Sequence, residues 1–205
     1  KVSHELRTPL NMIIGLIDLT VQTPDLYGDA LPAALLEDLH IVQRNCTHLA
    51  SMIDDVLDLS QTEAGRLVLH REWVDLRPDI ETALAVVRPL LEKKKLAFAL
   101  YMAADLPKIY CDRTRIRQVI LNLLSNAARY TEQGSVNVTV TLAEQSLLVQ
   151  VTDTGAGIAS KDLERIFAPF YQAGDGLWQE RKGSGLGLSI SKQFIELHQG
   201  TIWVE

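Results

Sequence analysis

The chain lacks the marks of several protein classes. None of its apolar runs reaches the roughly 18 residues that a membrane-spanning helix needs, and it contains neither internal repeats nor low-complexity tracts. It has only two cysteines, Cys46 and Cys111, whose apolar neighbours indicate buried free thiols rather than a metal site. We therefore exclude collagen-like, disordered and disulfide-scaffold proteins, and we expect no membrane segment within the chain.

Basic charge is scarce in the first third of the chain. Residues 1–68 contain 4 Lys and Arg against 10 Asp and Glu, whereas residues 69–205 contain 16 of each kind. The first third therefore carries the whole net charge of −6. Because binding to nucleic acid depends on positive charge facing phosphates, we expect no direct nucleic-acid partner. An acidic face meets a basic or metal-loaded partner or, more often, is simply solvated.

The composition, 47% hydrophobic and 22% charged, is typical of a soluble globular protein. The length of 205 residues fits one or two domains. Residues 1–20 and 32–60 repeat apolar side chains every three or four positions, which predicts two helices with heptad-like seams. The seams are Val2, Leu6, Pro9, Ile13, Leu16 and Thr20 in the first helix, and Leu35, Leu39, Val42, Cys46, Leu49, Ile53 and Val56 in the second.

Turn residues over 21–31 predict that these helices form an antiparallel hairpin. One hairpin cannot bury two seams fully, whereas two hairpins paired as a four-helix bundle can. We therefore expect a homodimer through residues 1–60. The alternative is that the hairpin packs on the rest of its own chain.

From Leu76 onward, helical and extended patterns alternate. They predict helices over 78–94, 113–130, 160–167 and 186–198, with Asp112 capping the second of these. They also predict strands at 97–102 and 109–110, a hairpin of strands 136–142 and 147–151, and a last strand over 201–204. We expect an α+β fold with domains at 1–70 and 71–205, the second with a mixed sheet covered by helices on one face.

A cluster of chemically active side chains opens the first helix. With the seam facing inward, His4 points outward, and Thr8, Asn11 and Gly15 continue the same stripe. An exposed imidazole beside Glu5, with the Thr8 hydroxyl one turn below, predicts a nucleophile whose proton Glu5 accepts or orients. The alternative is an ordinary surface histidine.

A second cluster lies on the helix predicted over 113–130. Asn122 and Asn126 are one turn apart and therefore share a face. Two amide oxygens there could hold a hard cation, which prefers oxygen ligands, and Arg129 could add a phosphate contact. The alternative is a polar helix face without a ligand.

A third cluster follows the strand predicted over 147–151. The carboxylate of Asp153 at the strand end can accept a hydrogen bond from an exocyclic amine, and Gly155 and Gly157 let the backbone turn tightly. An ordinary strand-end turn is the alternative.

A fourth cluster opens the last helix. Gly183, Gly185 and Gly187 leave backbone N–H groups free for an anion at a helix N-terminus. The segment follows no strand and contains no Gly-Lys-Ser/Thr, so it is neither a dinucleotide-binding fingerprint nor a Walker motif. The long polar stretch 172–182 before it predicts a mobile lid.

Taken together, these segments resemble those of the sensor histidine kinases of two-component signalling. Residues 3–10 resemble that family's phosphoacceptor box, and residues 122–131 resemble its asparagine box. Residues 153–158 and 183–188 resemble its two glycine boxes, and Phe167-Ala-Pro-Phe170 matches the phenylalanine box between them. The motifs occur in the family's order over nearly the whole chain.

The resemblance implies a dimerisation and phosphotransfer hairpin followed by an α/β sandwich that binds ATP and Mg²⁺. It implies that His4 receives the γ-phosphoryl group of ATP and that Glu5 assists proton transfer. An aspartate on the receiver domain of a response regulator would take the phosphoryl group next, and Thr8 would help position water for the reverse, phosphatase reaction on that partner. The implied location is cytoplasmic, within a parent protein that can be anchored in a membrane upstream.

Within the ATP site, the resemblance implies that Asn126 is the main Mg²⁺ ligand, that Asn122 supports it, and that Arg129 and Tyr130 line the phosphates or ribose. Asp153 would bind the adenine amine. The other implied nucleotide-binding residues are Gly155, Gly157, Ile158, Gly183, Ser184, Gly185, Leu186 and Gly187. The glycines of the first box would make room for the base, and those of the second would let the lid close over the phosphates.

Two rival functions share parts of this pattern. ATPases of the gyrase, chaperone and mismatch-repair type have a glutamate where this chain has Asn122, and an amide cannot act as a general base. A non-enzymatic scaffold is expected to have lost His4, Asn126 or Asp153, which are all present. The family usually continues past the position of Glu205 with a glycine-containing turn and a final strand, so we expect a truncated C-terminal sheet edge.

Overall fold

The computed structural model describes residues 2–23, 31–144, 146–173 and 183–205, with side chains from residue 7 onward. The chain divides into two compact units, 1–67 and 68–205. Most of the predicted turn at 21–31 and of the predicted lid at 172–182 lies outside the described residues, and so do the side chains of His4 and Glu5.

The first unit consists of α1, Val2–Gln22, and α2, Ala33–Glu63, where two helices are predicted. The helices run antiparallel. Arg7 of α1 is ion-paired with Asp54 of α2, and Asp18 of α1 accepts a hydrogen bond from Gln43 of α2. Residue numbers therefore rise from 7 to 18 along α1 while those of their partners fall from 54 to 43 along α2.

The helices of the first unit leave much of the predicted seams uncovered. On α1, Leu10 and Ile17 are buried, whereas Ile13 and Leu16 of the predicted seam are 45% and 62% exposed. On α2, four predicted seam residues are also exposed, namely Leu35, Val42, Leu49 and Val56. Within the hairpin each helix has a single neighbour, which covers only part of a heptad seam.

The second unit has an α+β fold, as predicted. Its strands are β1 (Glu72–Val74), β2 (Ala97–Met102), β3 (Ile109–Cys111), β4 (Ser135–Ala143) and β5 (Ser146–Asp153), and its helices are α3 (Arg77–Lys93), α4 (Arg113–Tyr130) and α5 (Gly187–Leu197). Strand β1 pairs with β3 in a small antiparallel sheet. Strand β4 pairs in parallel with β2 and antiparallel with β5, which makes the larger sheet mixed.

The core of the second unit lies between the mixed sheet and helices α3 and α4. Alternate residues of β4 are completely or almost completely buried, because side chains on a strand point to opposite faces in turn. The helices contribute apolar side chains at helical spacing to the same cluster, and the members include Val136, Val138 and Val140 of β4, Ile80 and Leu84 of α3, and Ile120 and Leu124 of α4.

Asp112 caps α4, which confirms the prediction from the sequence. Its Oδ1 accepts a hydrogen bond from the backbone N–H of Arg115 at 3.1 Å. Its Oδ2 accepts one from the N–H of His70 at 2.9 Å, and its own N–H donates to Nε2 of His198 at 2.9 Å. The start of α4 is therefore tied to the segment before β1 and to the end of α5.

Two predicted elements are wrong. Instead of a helix over 160–167, the chain forms turns and a short 3₁₀ helix, Arg165–Phe167. Pro169 excludes helical geometry at Ala168, which is extended with φ −77° and ψ 139°. No strand forms over 201–204, because an extended segment becomes a strand only by pairing, and no strand in the described part of the unit pairs with it.

Candidate active site

The predicted phosphoacceptor stripe lies on α1. Residues 4 and 5 belong to this helix, although their side chains are outside the described part. Thr8, Asn11 and Gly15 continue the stripe and are all exposed. Since these residues recur every three or four positions, the exposed stripe lies on the helix surface that position 4 shares.

An ion pair lies beside this stripe. Arg7 Nη2 and Nε donate to Asp54 Oδ1 at 2.6 and 3.2 Å, and both side chains are nearly half exposed. The hydrogen bond and charge of Asp54 raise the pKa of the Arg7 guanidinium. Exposed pairs of this kind contribute only up to about 1 kcal/mol to stability, so the pair marks the register of α1 against α2 but does not determine it.

In the second unit, the two asparagines of α4 form one polar cluster with α5. Asn126 Nδ2 donates to Asn122 Oδ1 at 3.4 Å, and Asn122 Nδ2 donates to the hydroxyl of Ser191 at 2.9 Å. Both asparagines are half-buried. Asn122 is therefore engaged through both amide atoms, whereas Asn126 Oδ1 accepts no hydrogen bond from the described residues.

The second glycine segment lies against α4. A Cβ atom at Gly187 would lie 2.2 Å from Asn122 Oδ1, and one at Gly183 would lie 2.9 Å from Nη1 of Arg129. The two helices approach so closely at Gly187 that a side chain there would have to displace Asn122. The predicted cation ligands, the predicted phosphate ligand and the glycines thus come together.

The backbone of this segment is shaped by Gly185. It has φ +70°, and a Cβ there would lie 2.8 Å from the carbonyl carbon of Phe170. The Ser184 hydroxyl accepts a hydrogen bond from the N–H of Leu186 at 3.2 Å. Helix α5 begins directly afterwards, and the first turn of a helix offers N–H groups without intrahelical partners to an anion.

Asp153 ends β5 beside the C-terminal end of α4. Its Oδ1 accepts hydrogen bonds from the N–H of Gly155 at 2.7 Å and from the hydroxyl of Thr131 at 3.3 Å. A Cβ at Gly155 would lie 2.7 Å from both Asp153 Oδ1 and the carbonyl oxygen of Tyr130. Oδ2 of this exposed carboxylate accepts no hydrogen bond from the described residues, so it can accept one from a ligand.

The remaining predicted residues around Asp153 are packed less closely. Tyr130 and Ile158 are both 38% exposed, and Gly157 has φ +70° with open space around it. Sequence reasoning missed Thr131, Ser191 and Lys94, which contact the site residues or their backbone. Thr131 is the last residue of the predicted cluster 122–131, where no role was assigned to it. The contacts of Ser191 and Lys94 join residues far apart in the sequence, so no local pattern indicates them.

The chemistry of these residues fits a magnesium nucleotide. Asp153 offers a carboxylate oxygen to a base, Arg129 and the start of α5 offer positive charge and N–H groups to phosphates, and Asn126 offers an amide oxygen. Because Mg²⁺ keeps waters and phosphate oxygens as ligands, it needs few from the protein. No cluster of three His, Cys, Asp or Glu side chains occurs among residues whose placement is described.

The predicted site residues divide between the two units. His4, Glu5 and Thr8 belong to the first, and every predicted nucleotide-binding residue belongs to the second. No helix in the described ranges is long and apolar enough to cross a membrane.

Two family models match this chain. Residues 1–65 match the His Kinase A (phospho-acceptor) domain, and residues 111–205 match the histidine kinase-, DNA gyrase B-, and HSP90-like ATPase. The matches fall on the two compact units.

Curated relatives match over the whole chain. The histidine protein kinase DivJ of Caulobacter vibrioides is 36% identical over 205 residues, and the autoinducer 2 sensor kinase/phosphatase LuxQ of Vibrio vulnificus is 34% identical over 212 residues. The chain spans only 34% and 24% of the lengths of these relatives.

Solved structures are similar in the same way. Full-length ShkA in complex with AMPPNP superposes with a TM-score of 0.75 and 30% identity, over 95% of this chain and 39% of that chain. Histidine kinase ThkA in complex with the response regulator protein TrrA superposes with a TM-score of 0.65 and 26% identity, over 100% of this chain and 55% of that chain. With a phosphoacceptor domain and an ATPase domain in this order, the chain belongs to the family of sensor histidine kinases.

Proposed function

We propose that the chain is the autokinase core of a longer sensor kinase and transfers the γ-phosphoryl group of ATP to its own His4. Residues 1–70 are the dimerisation and phosphotransfer domain, and residues 71–205 are the catalytic domain. The observation that carries the proposal is the convergence of Asn126, Asp153 and the Gly183–Gly187 segment around the C-terminal half of α4. The AMPPNP complex of the similar ShkA supports a nucleotide as the ligand.

The nucleotide is bound through three groups of this chain. Asp153 Oδ2 accepts a hydrogen bond from the adenine amine, while Thr131 and Gly155 hold the other carboxylate oxygen. Arg129 and the backbone N–H groups at the start of α5 bind phosphate oxygens. Asn126 offers its Oδ1 to Mg²⁺ and Asn122 supports it; the bound ion supplies positive charge that offsets the charge of the triphosphate.

The transfer step is a substitution at phosphorus. A ring nitrogen of His4 forms a bond to the γ-phosphorus, and the bond from that phosphorus to the β,γ-bridging oxygen breaks. ADP leaves with the electron pair, and Glu5 accepts the proton from the imidazole ring. Phosphoryl transfer passes through a loose transition state, so positioning and charge supply most of the catalysis.

The partner is the receiver domain of a response regulator, which takes the phosphoryl group from His4 onto an aspartate. Thr8, Asn11 and Gly15, on the helix face that position 4 shares, are exposed and can contact such a partner. The complex of the similar ThkA with TrrA supports this kind of partner. In a separate phosphatase reaction, Thr8 helps position a water that attacks the phosphorus of the aspartyl phosphate and releases inorganic phosphate and the free carboxylate. The kinase/phosphatase LuxQ among the relatives is consistent with that activity.

A homodimer through residues 1–60 completes the proposal. The hairpin leaves Ile13 and Leu16 of α1 exposed, together with Leu49 and Val56 of α2. A second copy would cover these side chains in a four-helix bundle and remove their apolar surface from water.

Hydrolysis of ATP is the competing activity, and Asn122 argues against it. A carboxamide is too weakly basic to take a proton from water, and this one instead donates from Nδ2 to Ser191 and accepts at Oδ1 from Asn126. Without a base to activate water, transfer to a side chain is favoured over hydrolysis.

Incubation with ATP labelled at the γ-phosphate tests the proposal. We expect acid-labile label on the protein. Release of the label only as free phosphate would instead identify a hydrolase, and nucleotide binding with neither product would identify a scaffold. Either result overturns the proposed autokinase.

A further inference from the structure

Lys94 follows α3, and its ammonium group lies at the C-terminal end of α4. Its Nζ donates to the carbonyl oxygens of Ala128 at 3.0 Å, Arg129 at 2.7 Å and Thr131 at 2.9 Å. Glu132 Oε1 lies 3.3 Å away. The Lys94 side chain is only 22% exposed, so these contacts lie in a partly desolvated position where charge-assisted hydrogen bonds gain strength.

The three carbonyl groups belong to the end of a helix, where carbonyl groups have no intrahelical donor. An ammonium group carries three N–H donors and a positive charge, which also favours the negative end of the helix dipole. Lys94 therefore fixes the backbone of Ala128–Thr131, the turn that carries Arg129 and Tyr130.

The same turn holds the adenine-binding carboxylate. Thr131 is completely buried, and its hydroxyl donates to Asp153 Oδ1 while its carbonyl accepts from Lys94. The carbonyl of Tyr130 lies so close to Gly155 that a Cβ there would be 2.7 Å from it. Movement of this turn would therefore displace both groups that hold Asp153 Oδ1, namely the Thr131 hydroxyl and the Gly155 N–H.

We propose that Lys94 is a positioning residue for adenine recognition, which holds the end of α4 so that Thr131 and Gly155 keep Asp153 aimed at the base. The inference rests on the proposed role of Asp153. Lys94 does not contact the nucleotide itself and acts through Thr131. Its removal weakens the contact to the 6-amino group, while Asn126 keeps its place toward Mg²⁺ and the start of α5 keeps its phosphate contacts.

The test compares nucleotide affinities of the full chain and its variants. Lys94→Met removes the donors and keeps the apolar stem, and Lys94→Arg retains donors and charge. Lys93→Met is the matched control, because Lys93 is the exposed neighbour in the last turn of α3. Calorimetry measures the dissociation constants for ATP and for purine riboside triphosphate, which lacks the 6-amino group, below the unfolding temperature of every variant.

We expect Lys94→Met to lower the preference for ATP over the analogue by about 3- to 10-fold, the effect of losing one well-placed hydrogen bond. Lys94→Arg should restore part of the preference, and Lys93→Met should leave it unchanged. Thr131→Val, which breaks the link without touching Lys94, should lower the preference in the same way. An equal loss for both nucleotides in Lys94→Met would mean a general effect on α4 and would overturn the inference.

The variant Asp153→Asn distinguishes a failure of the inference about Lys94 from a failure of the proposed adenine contact. If this variant lowers the preference but Lys94→Met does not, the inference about Lys94 is wrong and the proposed adenine contact stands. If Asp153→Asn leaves the preference unchanged, the adenine contact itself is wrong, and the inference fails with it. In the double variant, Lys94→Met should lower the preference no further, because groups acting through one contact are not additive.

Discussion

Asn122 of α4 donates a hydrogen bond from Nδ2 to the hydroxyl of Ser191 of α5 across 2.9 Å. Gly187, one turn earlier on α5, has no room for a Cβ atom beside the same amide group. The amide thus sets how closely α5 approaches α4. The distance between the proposed Mg²⁺ ligand on α4 and the phosphate-binding start of α5 depends on this contact.

Adding one methyl group at Gly187 should therefore weaken nucleotide binding. In Gly187→Ala the new Cβ would lie 2.2 Å from Asn122 Oδ1, so α5 or the amide must move. We expect the affinity for ATP to fall about 10-fold or more, because shifts of this size misplace several ligands at once. Calorimetric titration measures the effect. Ser191→Ala, which removes the hydrogen bond and adds no atom, should cost less.

Val86→Ala is the control for this experiment, since Val86 is a largely exposed residue of α3. It should bind ATP like the unmodified chain. An affinity of Gly187→Ala within about twofold of that value would show that the close approach of α5 does not govern binding.

Replacing the proposed phosphoacceptor should separate binding from transfer. His4→Gln lacks the nucleophilic ring nitrogen, so we expect no acid-labile label from γ-labelled ATP. Nucleotide affinity should survive, because every proposed ATP ligand lies in the second unit. Filter binding after acid and base treatment measures the label. Persistent acid-labile label in His4→Gln would refute the assignment of the acceptor.

Charges on the uncovered seam should produce a monomer. Leu49 and Val56 of α2 are 46% and 45% exposed in the single chain, and a second copy would bury them. In the variant Leu49→Glu with Val56→Glu, burial of two carboxylates would cost several kcal/mol, so association should be lost. Sedimentation at micromolar concentration measures the state, and circular dichroism checks that the helices persist. Val86→Glu should remain dimeric, and a monomeric unmodified chain would contradict the proposed dimer.

Alkaline pH should destabilise the second unit through Cys111. Burial, with a smaller contribution from the charge of Asp112, raises the pKa of this thiol from 9.0 to about 11. Between these values the unfolded chain releases the proton while the folded chain retains it, so the free energy of unfolding falls as pH rises. A difference of two pKa units limits this loss of unfolding free energy to about 3 kcal/mol. Below pH 9 the thiol is protonated in both states, so the stability is fully present.

Urea unfolding at pH 8 to about 10.5 measures this dependence. Cys111→Ala removes the titrating thiol, so its stability should fall less steeply with pH than that of the unmodified chain, while other groups titrate equally in both. Equal slopes would show that the thiol does not contribute.

Local patterns predicted most of the elements. The predicted helix over 113–130 has the same bounds as α4, because the capping Asp112 directly precedes it and helical apolar spacing and a polar end lie within it. Strand β2 and the β4–β5 hairpin follow from alternation in the same way. Asn122, Asn126, Asp153 and the glycines of the candidate site could be predicted because they lie in short motifs.

The predictions that failed concern features that depend on contacts between residues far apart in the sequence. Residues 201–204 alternate like a strand but have no pairing partner in the described part of the chain, and pairing is not a local property. Leu10 and Ile17 of α1 are buried although they lie outside the predicted seam, whereas the exposed Ile13 and Leu16 belong to it and are the residues that the proposed second copy would cover. Periodicity identifies a stripe and not the neighbour that covers each part of it.

The sequence by itself determined the order of the motifs, the helical and extended segments and the chemical groups available to a nucleotide, because each depends on residues close together in the chain. Only the tertiary structure decided how those groups are held. Hydrogen bonds join Lys94 to the end of α4, Thr131 to Asp153, and Asn122 to Ser191. These contacts join residues 22 to 69 positions apart, and packing of helices and sheet around one core places them together.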